Sequence, residues 1–120
     1  MNASQIISQY AQSQGMNPNA ALTEVKKVID SPNGYALQEG NSVFILERIG
    51  KGSVGIHLFT VDSAQALMGS IKSAISKVKN SGVSKIYGES ENQELVDALS
   101  QMGIQVGKSD NPDYSWSASI

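Results

Sequence analysis

Residues Gly55–Ser70 read GIHLFTVDSAQALMGS, and they decide the fold. Ile56, Leu58 and Thr60 alternate with His57, Phe59 and Val61, the two-residue period of a strand. From Ala64 the period lengthens. Ala64, Leu67, Met68, Ile71, Ala74, Ile75 and Val78 make one stripe of a helix over 64–80, while Lys72, Ser73, Lys77 and Lys79 face away. Asp62, with Gln65 three residues on, reads as its capping box. The next β-rich run, Val83–Tyr87, follows a strand and a helix, so it should lie parallel to the first strand through a right-handed crossover. A strand-to-helix junction of this kind is also a place where helix N-termini hold phosphates.

On the N-terminal side, Tyr35–Gln38, Val43–Ile49 (VFILERI) and Val54–Val61 are strands separated by glycine turns, an antiparallel meander. Two helices precede it. Ile6, Ile7 and Tyr10 mark the first, in a segment rich in glutamine and serine; such a helix is marginal alone and is expected to pack on a neighbouring subunit. The second opens at Asn17-Pro18 and carries Ala21, Leu22, Val25, Val28 and Ile29 on one face, ending by Ser31-Pro32. On the C-terminal side, Ser90 with Gln93 reads as a second capping box. It opens a helix with Leu95, Val96, Leu99 and Met102 inward and Gly103 at its end. Ile104–Val106 is a short strand. The tail alternates, with Tyr114, Trp116, Ala118 and Ile120 inward.

Length and composition bound the function. The 120 residues suffice for one domain. Hydrophobic residues at 40% and charged residues at 17% suit a folded core. A net charge of -2 gives no electrostatic ground for nucleic-acid or membrane binding, and Lys72, Lys77, Lys79 and Lys85 read as a solvated face. With no cysteine and one histidine, thiolate catalysis, cysteine-held zinc and multi-histidine metal sites are excluded. No secretion signal or membrane span is expected.

The order α-α-β-β-β-α-β-α-β-β, a mixed α/β sheet, resembles the GNAT acyltransferase fold. The resemblance is carried by VFILERI, GIHLFTVDS and ELVDALSQMGIQVG and covers residues 34–120. It implies a core over 34–120, which with the helical segment read over 1–33 makes one domain. It also implies a coenzyme A loop of the form Q/R-x-x-G-x-G/A at the start of the long helix, whose N–H groups hold the pyrophosphate. The corresponding run is Gln65-Ala66-Leu67-Met68-Gly69-Ser70. Gln65 stands in place, Met68 replaces the first glycine, Ser70 replaces the last small residue, and Gly69 is out of register. The expectation is that no cofactor is bound and that Gly69 is a packing glycine. If acetyl-CoA binding persists, Gln65, Gly69 and Ser70 are its candidate residues.

A GNAT-like scaffold without that loop further resembles structural and internal virion proteins of short-tailed bacteriophages. This implies a non-enzymatic virion or assembly protein, present in several copies against other virion proteins. It would be made in the host cytoplasm and located in the virion. Two alternatives stand beside it. One is an acyl-CoA-dependent N-acetyltransferase with a divergent loop; the other is a small module that binds a host protein. For the enzyme, His57 is the one side chain of a type suited to proton transfer near neutral pH and Glu47 is a strand carboxylate on the neighbouring strand; these are the catalytic candidates. Tyr87 and Tyr114 are candidates for protonating a leaving thiolate, against a plain packing role. Asp62 and Ser63 read as caps and Trp116 as core.

Overall fold

The structure, a computed structural model, describes residues 1–90 and 92–120. In chain order its elements are α1 (Ala3–Ser13), α2 (Pro18–Asp30), β1 (Gly34–Glu39), β2 (Ser42–Gly50), β3 (Ser53–Thr60), α3 (Ala64–Asn80), β4 (Lys85–Gly88), α4 (Gln93–Gln101), β5 (Val106–Lys108) and β6 (Trp116–Ser119). The six strands form one sheet in the order β1-β2-β3-β4-β6-β5. β3 and β4 are parallel, and every other neighbouring pair is antiparallel. The mixed sheet, meander, crossover and closing pair are those expected from the sequence.

One face of the sheet carries α3 and α4. Phe44 and Leu46 of β2, Val54, Ile56 and Leu58 of β3, and Ile86 of β4 bury there against Leu67, Ile71, Ile75 and Val78 of α3 and Leu95 and Leu99 of α4. Each large side chain so buried contributes about 1.5–3 kcal/mol. The other face carries α1 and α2. Ile6, Ile7 and Val25 close over Val43 and Ile45. The first helix therefore packs on its own sheet rather than needing a neighbouring subunit to bury its apolar face. Asn2 anchors its start, accepting from Gln5 N–H while Gln5 Oε1 accepts from Asn2 N–H, both at 2.9 Å. Ile29, expected on the inner face of α2, is 41% exposed, because that helix meets the sheet through Val25 and its neighbours alone.

Three local expectations are corrected. The cap of α3 is Ser63, whose hydroxyl accepts from Ala66 N–H at 3.2 Å; Asp62 is drawn into another network. The fifth strand begins at Val106 rather than Ile104, because Ile104 N–H turns back to Leu99 C=O at 2.9 Å and finishes α4. Tyr114 does not share the inward face of Trp116 and Ala118. It precedes β6, so the two-residue period does not bind it, and it lies across the opposite face.

Candidate active site

The parallel pair is short. β3 meets β4 only over Ser53–Gly55 against Lys85–Tyr87. β4 stops at Gly88, yet β3 runs on to Thr60. The two strands part at their C-terminal ends, the side of a parallel sheet where crevices for ligands open.

Asn92 enters that parting. It is 2% exposed. Its Oδ1 accepts from Leu58 N–H and its Nδ2 donates to Leu58 C=O, both at 3.1 Å. One carboxamide thus substitutes for a strand residue on the free edge of β3. This explains why the expected box of Ser90 with Gln93 does not form. Asn92 is the residue before α4, and its side chain is committed to β3 instead of capping the helix.

On the α1/α2 face a pocket of about 640 Å³ adjoins the same strand ends. Met16 and Asn17 in the α1–α2 corner and Ala21, Val25 and Val28 of α2 form its roof. Its floor is Ile45, His57 and Phe59, with Glu89 just past β4. Both His57 and Glu89 are half-buried. The cross-strand register sets Ile45 opposite His57 and Glu47 opposite Gly55. Glu47 therefore shares the face of His57 but sits one pair further down the strand, outside the pocket.

At the root of the parting lies Tyr114. A Cβ on Gly55 would stand 2.3 Å from its hydroxyl oxygen, so only glycine lets the ring lie there. The Tyr114 hydroxyl has no hydrogen-bond partner among the described residues. Its pKa is raised, first by burial and then by the negative charges of Glu47, Glu89 and Asp113. Its ring meets that of Tyr87 at 5.7 Å. Tyr87 is the less available of the two tyrosines: its hydroxyl donates to Asp110 at 2.8 Å, and Lys85 approaches Asp110 at 3.4 Å. The Tyr87 hydroxyl, and after it Lys85, hold the Asp110 carboxyl below its ordinary range.

The start of α3 does not form the implied phosphate loop. The helix is continuous from Ala64 through Gly69 and Ser70, and Met68 packs against the core. Ser70 is buried and donates to Asp62 at 3.2 Å. Asp62 also accepts from the Ser42 hydroxyl at 2.6 Å and from Asn41 N–H at 3.2 Å. A carboxylate therefore already stands beside this helix end. Gln65 faces a groove toward α4 that also presents Glu94 and Asp97. Gly69 is exposed, with nothing within 4 Å of an added Cβ, so it is not the packing glycine the sequence suggested. Gln65 and Gly69 lie one turn apart on the exposed side of α3, whereas Ser70 is buried. Phosphates placed in this groove would meet Glu94 and Asp97, with no lysine or arginine lining it among the described residues. These residues do not fit the pyrophosphate end of coenzyme A.

Of the sequence candidates, then, His57 lies in the pocket, Tyr114 at the cleft root, and Glu47 on the same face. Lys72, Lys77 and Lys79 stand exposed on α3, the solvated face expected of them, with Lys77 pairing with Glu39, while Lys85 on β4 pairs with Asp110. Glu89 and Asn92 were not singled out by sequence. The available signal was positional: both follow the C-terminal end of the predicted parallel strand, where this architecture opens its crevice.

No protein-family sequence model and no curated protein matches the chain. Solved structures do. The Campylobacter jejuni N-acetyltransferase PseH, in complex with acetyl coenzyme A, is 16% identical over 100% of this chain and 92% of its own, with a TM-score of 0.54. The ribosomal-protein-S18-alanine N-acetyltransferase of Escherichia coli is 10% identical over 99% and 86%, with a TM-score of 0.54. A domain from Methanocaldococcus jannaschii is 11% identical over 98% and 88%, with a TM-score of 0.60. The expectation of a non-enzymatic phage virion protein is corrected by this finding: the named activities among these structures are N-acetyl transfer, and none of them is a virion protein. The chain has the mixed α/β fold of the GNAT acetyltransferases.

Proposed function

We propose that this protein is an N-acyltransferase that moves an acyl group from a thioester donor to an amine. The observation that carries the reading is the parting of parallel β3 and β4, with the Tyr114 hydroxyl at its root and the His57–Glu89 pocket beside its mouth. The likeness in fold to structures of N-acetyltransferases supports it. The free edge of β3 at Leu58 offers an N–H and a C=O in strand geometry, which suits an amide-bearing donor arm such as pantetheine. Such an arm would take the place of the Asn92 carboxamide. The phosphate end of coenzyme A finds no cradle, so donor recognition rests on the arm and the acyl group.

In this reading His57 and Glu89 act at the acceptor. One of them takes a proton from the attacking amine, which must be neutral to be nucleophilic. Tyr114, held protonated by its surroundings, gives its proton to the sulfur as the C–S bond breaks. Glu47 and Asp113 are charges near that hydroxyl rather than parts of the acceptor site.

The test is thiol release from acetyl-CoA and from S-acetylpantetheine with a panel of primary amines. Amine-dependent release from both donors is expected, with coenzyme A no better than the truncated thioester. Absence of release from either donor with every amine refutes the proposal.

A further inference from the structure

The pocket roofed by α2 combines an apolar body with two carboxylates and one imidazole. Met16, Val25, Val28, Ile45 and Phe59 supply most of its wall. Its ionisable lining is His57, Glu24 and Glu89, and no lysine or arginine lines it among the described residues. Glu24 stands on the rim of α2, where it meets Lys27 at 3.2 Å in an exposed pair; such a pair is weak and readily exchanged for another cation. A volume of about 640 Å³ is ample for a small molecule.

We infer that this pocket takes a free primary amine with an apolar or aromatic tail, bound as its cation. The tail lies between α2 and the Ile45–Phe59 floor, and the ammonium group is drawn to the Glu89 end beside His57. Carboxylates and strongly polar amines are disfavoured, the former by the charges of Glu24 and Glu89 and the latter because most of the wall is apolar. The inference rests on the proposed acyl transfer for its biological sense, yet binding of the amine needs no donor and is measurable alone.

The experiment is calorimetric titration of the full chain, without donor, using 2-phenylethylamine, 2-phenylethanol, phenylacetate, ethanolamine and a tetrapeptide beginning with phenylalanine. Phenylethylamine should bind, with phenylethanol and ethanolamine each weaker by about tenfold or more and phenylacetate not detected. Two variants at exposed positions localise the site. Ala20→Trp, on the pocket wall, should abolish binding. Glu24→Lys should weaken the amine about threefold to tenfold while leaving phenylethanol unchanged. Equal binding of phenylethylamine and ethanolamine overturns the apolar assignment, and equal binding of phenylethylamine and phenylethanol overturns the cationic one. Binding unaffected by Ala20→Trp overturns the location. A peptide that binds where the free amine does not overturns it in favour of a polypeptide N-terminus, and no binding by any probe overturns it outright. If phenylethylamine binds as described and no amine of the panel is acylated, acyl transfer fails and the pocket assignment stands. If only polar amines are acylated, the pocket assignment fails and acyl transfer stands.

Discussion

Replacing Asn92 by alanine isolates the contact that closes the β3–β4 cleft. The side chain is almost wholly buried and makes two bonds of 3.1 Å, one to each polar group of Leu58. Its removal leaves a buried N–H and a buried C=O without partners. Each orphaned group costs about 1–3 kcal/mol, and partial entry of water brings the sum to roughly 2–4 kcal/mol. At this chain length that lowers the melting temperature by roughly 8–16 °C. Differential scanning calorimetry measures it. An acyl-pantetheine arm that pairs with Leu58 must displace the carboxamide in the natural protein but finds the edge free in Asn92→Ala. The rise in melting temperature produced by saturating S-acetylpantetheine should therefore be larger in the variant. Asn92→Asp supplies a control. A carboxylate there can accept from the Leu58 N–H but has no proton for the Leu58 carbonyl, so folding raises its pKa above the ordinary value of about 3.9. Its stability deficit is complete above the folded-state pKa and fades as pH falls through the unfolded value. A melting temperature for Asn92→Ala within about 3 °C of the natural protein refutes the argument from unpaired groups. An equal donor-induced rise in both proteins refutes the displacement.

Three further outcomes follow from the same geometry. Tyr114→Phe should leave the melting temperature unchanged, since the hydroxyl bonds to no described residue. It should slow transfer from an alkyl thioester about 100-fold while slowing transfer from a thiophenyl ester far less, because a good leaving group needs no proton; stopped-flow thiol detection with both donors checks this. Gly88→Ala sets a Cβ 2.1 Å from Trp116 Cζ2, which displaces the indole from its 3.1 Å bond to Glu89 C=O. It should cost about 1–3 kcal/mol and alter the near-ultraviolet circular dichroism of the lone tryptophan. Lys77 holds the Glu39 carboxyl below its ordinary pKa, chiefly by hydrogen bonding. That contribution is present above the unfolded-state value and is lost as pH falls through the depressed folded one. Lys77→Met should therefore destabilise by up to about 1 kcal/mol at neutral pH and by nothing once Glu39 is protonated, as denaturant titrations at both pH values would show.

The framework was legible because it rests on period and punctuation. The stripe Leu67-Ile71-Ile75-Val78 and the alternation Val54-Ile56-Leu58 state which faces are buried, and both are buried as read. Asn17-Pro18 opens α2 as its chemistry requires. What the sequence hid depends on contacts distant along the chain. Asp62 looks like a cap until Ser42, twenty residues earlier, reaches it at 2.6 Å. Ser90 looks like a cap until Leu58 claims Asn92 and moves the helix start. Tyr114 looks like one more inward residue of an alternating tail until the missing side chain of Gly55 gives its ring a place on the other face. His57 was found because one histidine in a chain is conspicuous. Glu89 was not, because one glutamate among many is not.

The same distant contacts bear on how a donor is held. The start of α3 has kept the electrostatics of an anion site and filled it from within. Ser63 takes the Ala66 N–H, and Asp62 sets a carboxylate at the positive end of the helix, tied to the β1–β2 turn through Asn41 and Ser42. A pyrophosphate arriving there would have to expel that carboxylate and approach Glu94 and Asp97 across the groove. Its charge would add repulsion where a phosphate loop adds attraction. Binding energy for a thioester must then come from the strand edge at Leu58 and from the acyl end of the cleft. Truncating coenzyme A to its pantetheine arm should consequently leave KM unchanged or lower, and raising the salt concentration should favour the full coenzyme by screening the repulsion. A KM for acetyl-CoA tenfold or more below that for S-acetylpantetheine would show that the helix end opens to phosphate after all, and that the lock built on Asp62 is not closed in the working protein.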